Sequence, residues 1–167
     1  MDTKKIIKIA VIAVLVLALA YGGLWLYWGR RHSVLYDVKT VTVTQSAEDE
    51  NIYNISYDIT AKNWFLDFSP HTYKLKAYLP SGYGMYYFEG ETEYFKTSMK
   101  PTRLTIDVKF DMASVFDRGA YSPEDSEFFD EIISVSHFVA YDKSGKKVES
   151  ANLYMLDNSD AEIIFAN

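Results

Sequence analysis

Twenty consecutive residues, Ile9 to Trp28, carry no formal charge, and this run constrains the fold more tightly than any other stretch of the chain. At about 1.5 Å of rise per residue they form a helix of roughly 30 Å, the thickness of a bilayer's hydrocarbon core. The run is graded. Ile9 to Ala20 is wholly aliphatic, whereas Tyr21, Trp25, Tyr27 and Trp28 gather at the far end, where amphipathic rings favour the headgroup layer. Lys4, Lys5 and Lys8 precede the run and Arg30 and Arg31 follow it, so charge alone does not orient it. A short basic tail ahead of the first apolar stretch is the layout of a signal anchor. The expected organisation is a cytoplasmic tail (1–8), a transmembrane helix (9–28), a short linker (29–33) and an extracytoplasmic domain (34–167) on a single-pass cell-membrane protein. Ala18-Leu19-Ala20 also fits the small-x-small pattern of a signal-peptide cleavage site. Gly22 to Trp28 continue the apolar run, however, and cutting after Ala20 would leave a sticky terminus, so the helix is expected to be retained.

Beyond Arg31 the pattern changes to short alternating segments bounded by polar, glycine or proline residues. The clearest is Tyr53 to Ala61, where Tyr53, Ile55, Tyr57, Ile59 and Ala61 fall on one face and Asn54, Ser56, Asp58 and Thr60 on the other. Tyr73, Leu75, Ala77 and Leu79 repeat the alternation before Pro80, as do Leu104, Ile106, Val108 and Phe110 after Pro101. Both segments read as half-buried antiparallel strands. Val34, Tyr36 and Val38 share one parity while Val41 and Val43 share the other, which requires a bulge or break near Lys39-Thr40.

Towards the end, Ile133 to Tyr141 and Val148 to Met155 flank Asp142-Lys143-Ser144-Gly145-Lys146, a loop with a glycine available for the positive-φ position of a hairpin. One short helix is predicted before it, with Ser122 as N-cap, Pro123 at the first helical position and an end near Glu131. About seven antiparallel strands in this span predict a mostly β domain, an immunoglobulin-like β-sandwich with one short helix; a closed barrel is the alternative.

The hairpin residues Phe138-Val139-Ala140-Tyr141-Asp142, followed by Lys143-Ser144-Gly145, resemble the FxLYD signature of small immunoglobulin-like domains on bacterial envelope proteins. Phe138, Tyr141 and Asp142 match it, and Ala140 stands where the signature has leucine. The resemblance covers this one hairpin. It implies a fold and an envelope location, and it carries over no catalytic residue.

Composition excludes several functions. The 167 residues hold 17 basic and 23 acidic side chains, of which Lys4, Lys5, Lys8 and Asp2 precede the apolar run, so the remainder is acidic, with 14 against 22. A nucleic-acid partner needs a basic face to displace counterions, and none is expected. Without any cysteine there is no disulfide, thiolate metal site or lipidated cysteine. His32, His71 and His137 are too scattered for a zinc site or a catalytic dyad, and His137, on the parity of Ile133, Val135 and Val139, is expected as a satisfied buried imidazole. Glu89, Glu91 and Glu93 could offer oxygens to calcium, but their alternate spacing equally describes the wet face of an edge strand. Asp157, Asp160 and Glu162 lack the glycine and spacing of a calcium-binding loop. No nucleophile elbow or phosphate-binding loop is present, so neither an enzyme nor a cofactor is expected.

The one unusual feature is the segment Tyr83 to Phe95, which contains Tyr83, Tyr86, Tyr87, Phe88, Tyr94 and Phe95, with Trp64 and Phe65 in a neighbouring loop. Exposed tyrosines bring a large contact area at low entropic cost and so suit a protein or a sugar ring. Their simpler role would be to fill a core or cover its open end. Tyr83, Tyr86, Tyr87, Tyr94 and Trp64 are the candidate contact residues. The leading expectation is a membrane-tethered module that binds another envelope or membrane protein. An envelope-glycan binder using residues 83–95 is the second expectation, and an enzyme without a recognisable motif the third.

Overall fold

A computed structural model of the chain describes residues 3–29, 34–63, 69–81, 87–115, 126–148 and 161–166. Helix α1 runs over Thr3–Leu24 and widens into a π-helical turn at Trp25–Gly29. It is long and apolar enough to cross a membrane, and none of the described residues buries it.

Eight strands follow among the described residues: β1 (Val34–Gln45), β2 (Ile52–Asn63), β3 (His71–Pro80), β4 (Tyr87–Glu91), β5 (Phe95–Thr97), β6 (Thr102–Asp111), β7 (His137–Asp142) and β8 (Glu162–Ala166). The first sheet has the order β6-β2-β1-β8, antiparallel except for β8, which lies parallel to β1. In the second, β3 is central. Lys76, Ala77 and Tyr78 pair with β4 on one side and β7 on the other, and Tyr73 pairs likewise with β5 and β7. β4 and β5 therefore share an edge. Thr92 joins them: its N–H donates to the Leu75 carbonyl at 2.9 Å, and its hydroxyl accepts from the Leu75 N–H at 3.1 Å.

The alternation read from the sequence is the burial pattern of the sheets. Tyr53, Ile55, Tyr57, Ile59 and Ala61 are buried on β2, Tyr73, Leu75, Ala77 and Leu79 on β3, and Ile106, Val108 and Phe110 on β6. The parity change in β1 is a register shift between Val38 and Thr40, which buries Val38, Val41 and Val43 together. The inner faces meet through Tyr57 and Phe138, edge to face at 5.2 Å, and through Phe88 and Phe110 at 4.6 Å. Gly90 permits the second contact. A Cβ there would stand 2.9 Å from the methyls of Ile106 and Val108 and closer still to the Asp107 carbonyl, so β4 approaches β6 only without a side chain.

Helix α2 (Ser126–Ser134) packs Phe128, Phe129, Ile132 and Ile133 into the same core, with Phe129 against Tyr53 at 4.9 Å. It extends past the predicted end near Glu131 and takes up Ile133, so β7 starts at His137 instead of at Ile133. The reason lies in the spacing of the apolar residues: Phe128, Phe129, Ile132 and Ile133 form an i, i+1, i+4, i+5 stripe, which a strand cannot bury on one face. The predicted N-cap, Ser122 and Pro123, lies outside the described residues.

After β7 the predicted turn is present. Gly145 has φ +78°, and Asp142 accepts at Oδ1 from the N–H groups of Ser144 and Lys146 and from the Ser144 hydroxyl. Val148 N–H donates to the Ala140 carbonyl; most of the predicted return strand, 149–155, lies outside the described residues. Strand β8 was not expected from the sequence.

Candidate functional site

Alternation that points Tyr73, Leu75, Ala77 and Leu79 into the core turns Lys74, Lys76 and Tyr78 outward. The register then sets Tyr78 beside Glu89 of β4 and His137 of β7, and Lys76 beside Glu91 and Val139. The outer face of the second sheet therefore gathers side chains from three separate stretches of sequence.

Rings close both ends of this face. Tyr78 stacks on His137 with centroids 5.0 Å apart, and Tyr87 stands edge-on to both, at 6.2 Å from Tyr78 and 5.3 Å from His137. At the other end Tyr94 lies under the Lys74 ammonium, 5.2 Å from the ring centroid, and its hydroxyl reaches towards the Asp142 carbonyl at 3.4 Å. Tyr87 and Tyr94 both rise from the β4–β5 edge and lean across β3. They remain 47% and 45% exposed, which leaves each ring a free face for contact.

Charge fills the space between the rings. Lys74 meets Glu91 at 2.7 Å, and Lys76 meets Glu91 at 3.2 Å and Glu89 at 3.9 Å. The Lys74 and Lys76 contacts hold the Glu91 carboxyl below the usual carboxylate range, and Glu91 in turn raises the Lys74 ammonium. The glutamates are thus tied to lysines of the adjacent strand, as on a charged edge strand. Behind them the Tyr78 and Tyr141 hydroxyls lie 3.1 Å apart. Burial, with help from Tyr141, pushes the Tyr78 phenol up, so it stays protonated as a hydrogen-bonding group. Burial lowers the His137 imidazole and the charge of Lys147 lowers it further, which favours the neutral ring.

Of the five tyrosine and tryptophan candidates, Tyr87 and Tyr94 are on this face, while Tyr83, Tyr86 and Trp64 lie outside the described residues. His137 is corrected. Because α2 ends at Ser134, Phe138 and Ala140 point inward and His137 outward, half-exposed against Tyr78. Tyr78 and Tyr141 were missed, although a tyrosine on the wet parity of an alternating strand was the available signal for Tyr78. Among the described residues no group of three or more histidine, aspartate or glutamate side chains converges as metal ligands would.

No protein-family model matches the chain, and no curated protein matches it.

Proposed function

We propose that this chain is a membrane-tethered interaction module, and that it binds another membrane or envelope protein through the outer face of its second sheet. The observation that carries this reading is the pair of half-exposed rings, Tyr87 and Tyr94, set on either side of a paired lysine-glutamate strip. Protein interfaces favour this combination, in which rigid aromatic anchors supply contact area and polar neighbours supply specificity. A sugar-binding platform favours rings laid parallel and open. Here Tyr87 stands at 86° to Tyr78 and at 90° to His137, and the Tyr78–His137 stack covers one face of each ring, which supports a protein partner over a glycan.

The strand order supports an immunoglobulin-like sandwich. β1, β2 and β6 occupy the positions of the first, second and fifth strands of that fold, and β3 and β7 those of its central pair in the opposing sheet. The turn held by Asp142 agrees with the FxLYD-like signature. Lys4, Lys5 and Lys8, in the first two turns of α1 and ahead of its uncharged run, support an N-terminus inside the cell and an exported β domain.

The test is site-specific photocrosslinking in cells, with the photoreactive residue placed at 87, at 94 or, on the other sheet, at Thr42. A discrete protein captured from 87 and 94 but not from 42 is the expected result. Equal capture from all three positions, or glycan alone from 87 and 94, would overturn the proposal.

A further inference from the structure

The ends of the β domain differ in charge. β1 begins at Val34, paired with Asn63 at the end of β2, and Asn63 N–H donates to the Ser98 carbonyl between β5 and β6. β3 begins opposite Thr97, and β7 ends opposite Tyr73. These strand ends form one base, the end of the domain that follows the apolar helix.

Lys62, Lys96, Lys100 and Arg103 are exposed at this base. The adjoining β7 turn adds Lys143, Lys146 and Lys147, also exposed. Among the described residues at this level the acids are Asp37, on the rung of Thr60 and Arg103 and paired with Lys39, and Asp142, whose carboxylate is taken up by the turn's own N–H groups. Among the described residues none of these seven cations has an ion-pair partner, whereas Lys39, Lys74 and Lys76, higher on the sheets, are paired; Lys109, exposed near the opposite end, lies beside Asn54. The opposite end carries Glu48, Asp49 and Glu50 in the β1–β2 turn and Asp111 at the end of β6. A domain that is acidic in sum thus presents cations where its tether enters.

We infer that the base of the β domain rests on anionic phospholipid headgroups of the bilayer that holds α1. Three observations favour lipid as the occupant. Five peptide steps separate Gly29 from Val34, which at about 3.6 Å each keeps the base within roughly 18 Å of the helix end. Two of the intervening residues are Arg30 and Arg31, which continue the positive charge from helix to domain. Met99, 43% exposed at the tip of the β5–β6 turn, is followed by the exposed Lys100, so the tip offers an apolar side chain and a cation together, as at an interfacial anchor. The inference rests on α1 lying in a membrane. It does not depend on the partner proposed for the sheet face, which lies on different side chains.

The chain has no native cysteine, so single labels are clean. The full chain, in nanodiscs of zwitterionic phosphatidylcholine alone or with about a third phosphatidylglycerol, carries an environment-sensitive fluorophore at Met99→Cys or, at the opposite end, Asp49→Cys. Quenching by neutral acrylamide is the readout. At site 99 the quenching constant is expected to fall at least about twofold on adding the anionic lipid and to recover when salt is raised about tenfold. Site 49 should respond to neither change. The salt arm needs no further substitution, and Lys100→Glu with Lys143→Glu and Lys146→Glu should abolish the protection. Absence of protection at site 99 would overturn the inference. So would protection that is equal in both lipids, which reports tethering alone, or protection that survives salt and charge reversal, which reports apolar contact alone.

Discussion

The two sheets bury the same kind of inner face and present opposite kinds of outer face. Across β1, β2 and β6 the outward positions of the first sheet form rungs of small polar side chains, Thr40, Asp58 and Thr105 in one and Thr42, Ser56 and Asp107 in the next, which the edge strand β8 extends with Glu162 and Ile164. Ser56 donates to Asp107 at 2.5 Å, and Thr60 donates to the Asp37 carbonyl at 3.3 Å. No aromatic ring stands on these rungs. The second sheet uses equivalent positions for Tyr78, Tyr87, His137 and Tyr141. Threonine satisfies both strand propensity and water on the first sheet, so neither requirement explains the rings on the second. On this difference rests the proposal that the second face is the contact surface.

The comparison breaks most severely if inner and outer positions have been confused. Ile106 is fully buried between Tyr57 and the second sheet, whereas its neighbour Thr105 is exposed. Ile106→Asp places an unpaired carboxylate in the core and is expected to unfold the domain, a loss of at least about 4 kcal/mol; Thr105→Asp, solvated but directly opposite Asp58, should cost no more than about 1 kcal/mol. Denaturant melts of both variants decide the matter, and equal tolerance would invert the faces. The next largest effect falls where the sheets approach each other. Gly90→Ala sets a methyl against the Asp107 carbonyl and the Ile106 and Val108 methyls, and should cost about 1–3 kcal/mol. Ala77→Gly, at the position paired with Gly90, serves as a control for strand weakening without a clash.

Legibility of the fold from sequence follows the same division. Strands of the first sheet alternate cleanly because one face is wet and polar, so β2 and β6, and even the bulge in β1, could be read residue by residue. β8 could not. Its apolar residues Ile163, Ile164 and Phe165 are consecutive, and its parallel partner β1 lies more than a hundred residues earlier. The end of α2 was misplaced because Ile133 and Val135 share strand parity with Val139, although only Ile133 is buried with the helix while Val135 is exposed in the turn. Of the candidate face, Tyr87 and Tyr94 were recognisable as members of an aromatic segment. Their neighbours Tyr78, His137 and Tyr141 were not, because cross-strand register brings together residues that are tens of positions apart in the chain.

A sharper test of the comparison leaves the fold intact. Tyr87→Ser and Tyr94→Ser remove half-exposed rings, so the melting midpoint should move by the equivalent of less than about 1 kcal/mol each. Together they should weaken capture of the partner, read from a photoreactive residue at position 89 on the same face, at least about tenfold, since exposed aromatic anchors dominate such interfaces. Thr42→Ala with Ser56→Ala, the matching pair on the first sheet, should leave capture unchanged. If both pairs reduce capture alike, the two faces are not functionally distinct.

The smallest expected effect concerns protonation. In the folded domain the His137 imidazole lies below its ordinary value of 6.5, first through burial against Tyr78 and Tyr87 and then through the charge of Lys147. The unfolded chain therefore binds more protons at this site in the interval between the folded and ordinary values. Stability from His137 is complete above about pH 6.5 and declines as the pH falls through that interval, the sign expected for an imidazole that is easier to protonate after unfolding. His137→Phe keeps an aromatic ring against Tyr78 and does not titrate. Thermal melts between about pH 7.5 and 5.5 should show a larger drop for the native chain than for the variant, and the difference between the two curves isolates this group from the other histidines. A histidine introduced at Thr105, on the outer face of the first sheet, has no ring paired with it and stands directly opposite the Asp58 carboxylate. Its curve should bend the opposite way, gaining stability as the pH falls, because a neighbouring carboxylate raises an imidazole. Opposite slopes from one residue type on two faces would show that the environment of the second sheet is aromatic and desolvating in solution; matching slopes would remove that distinction.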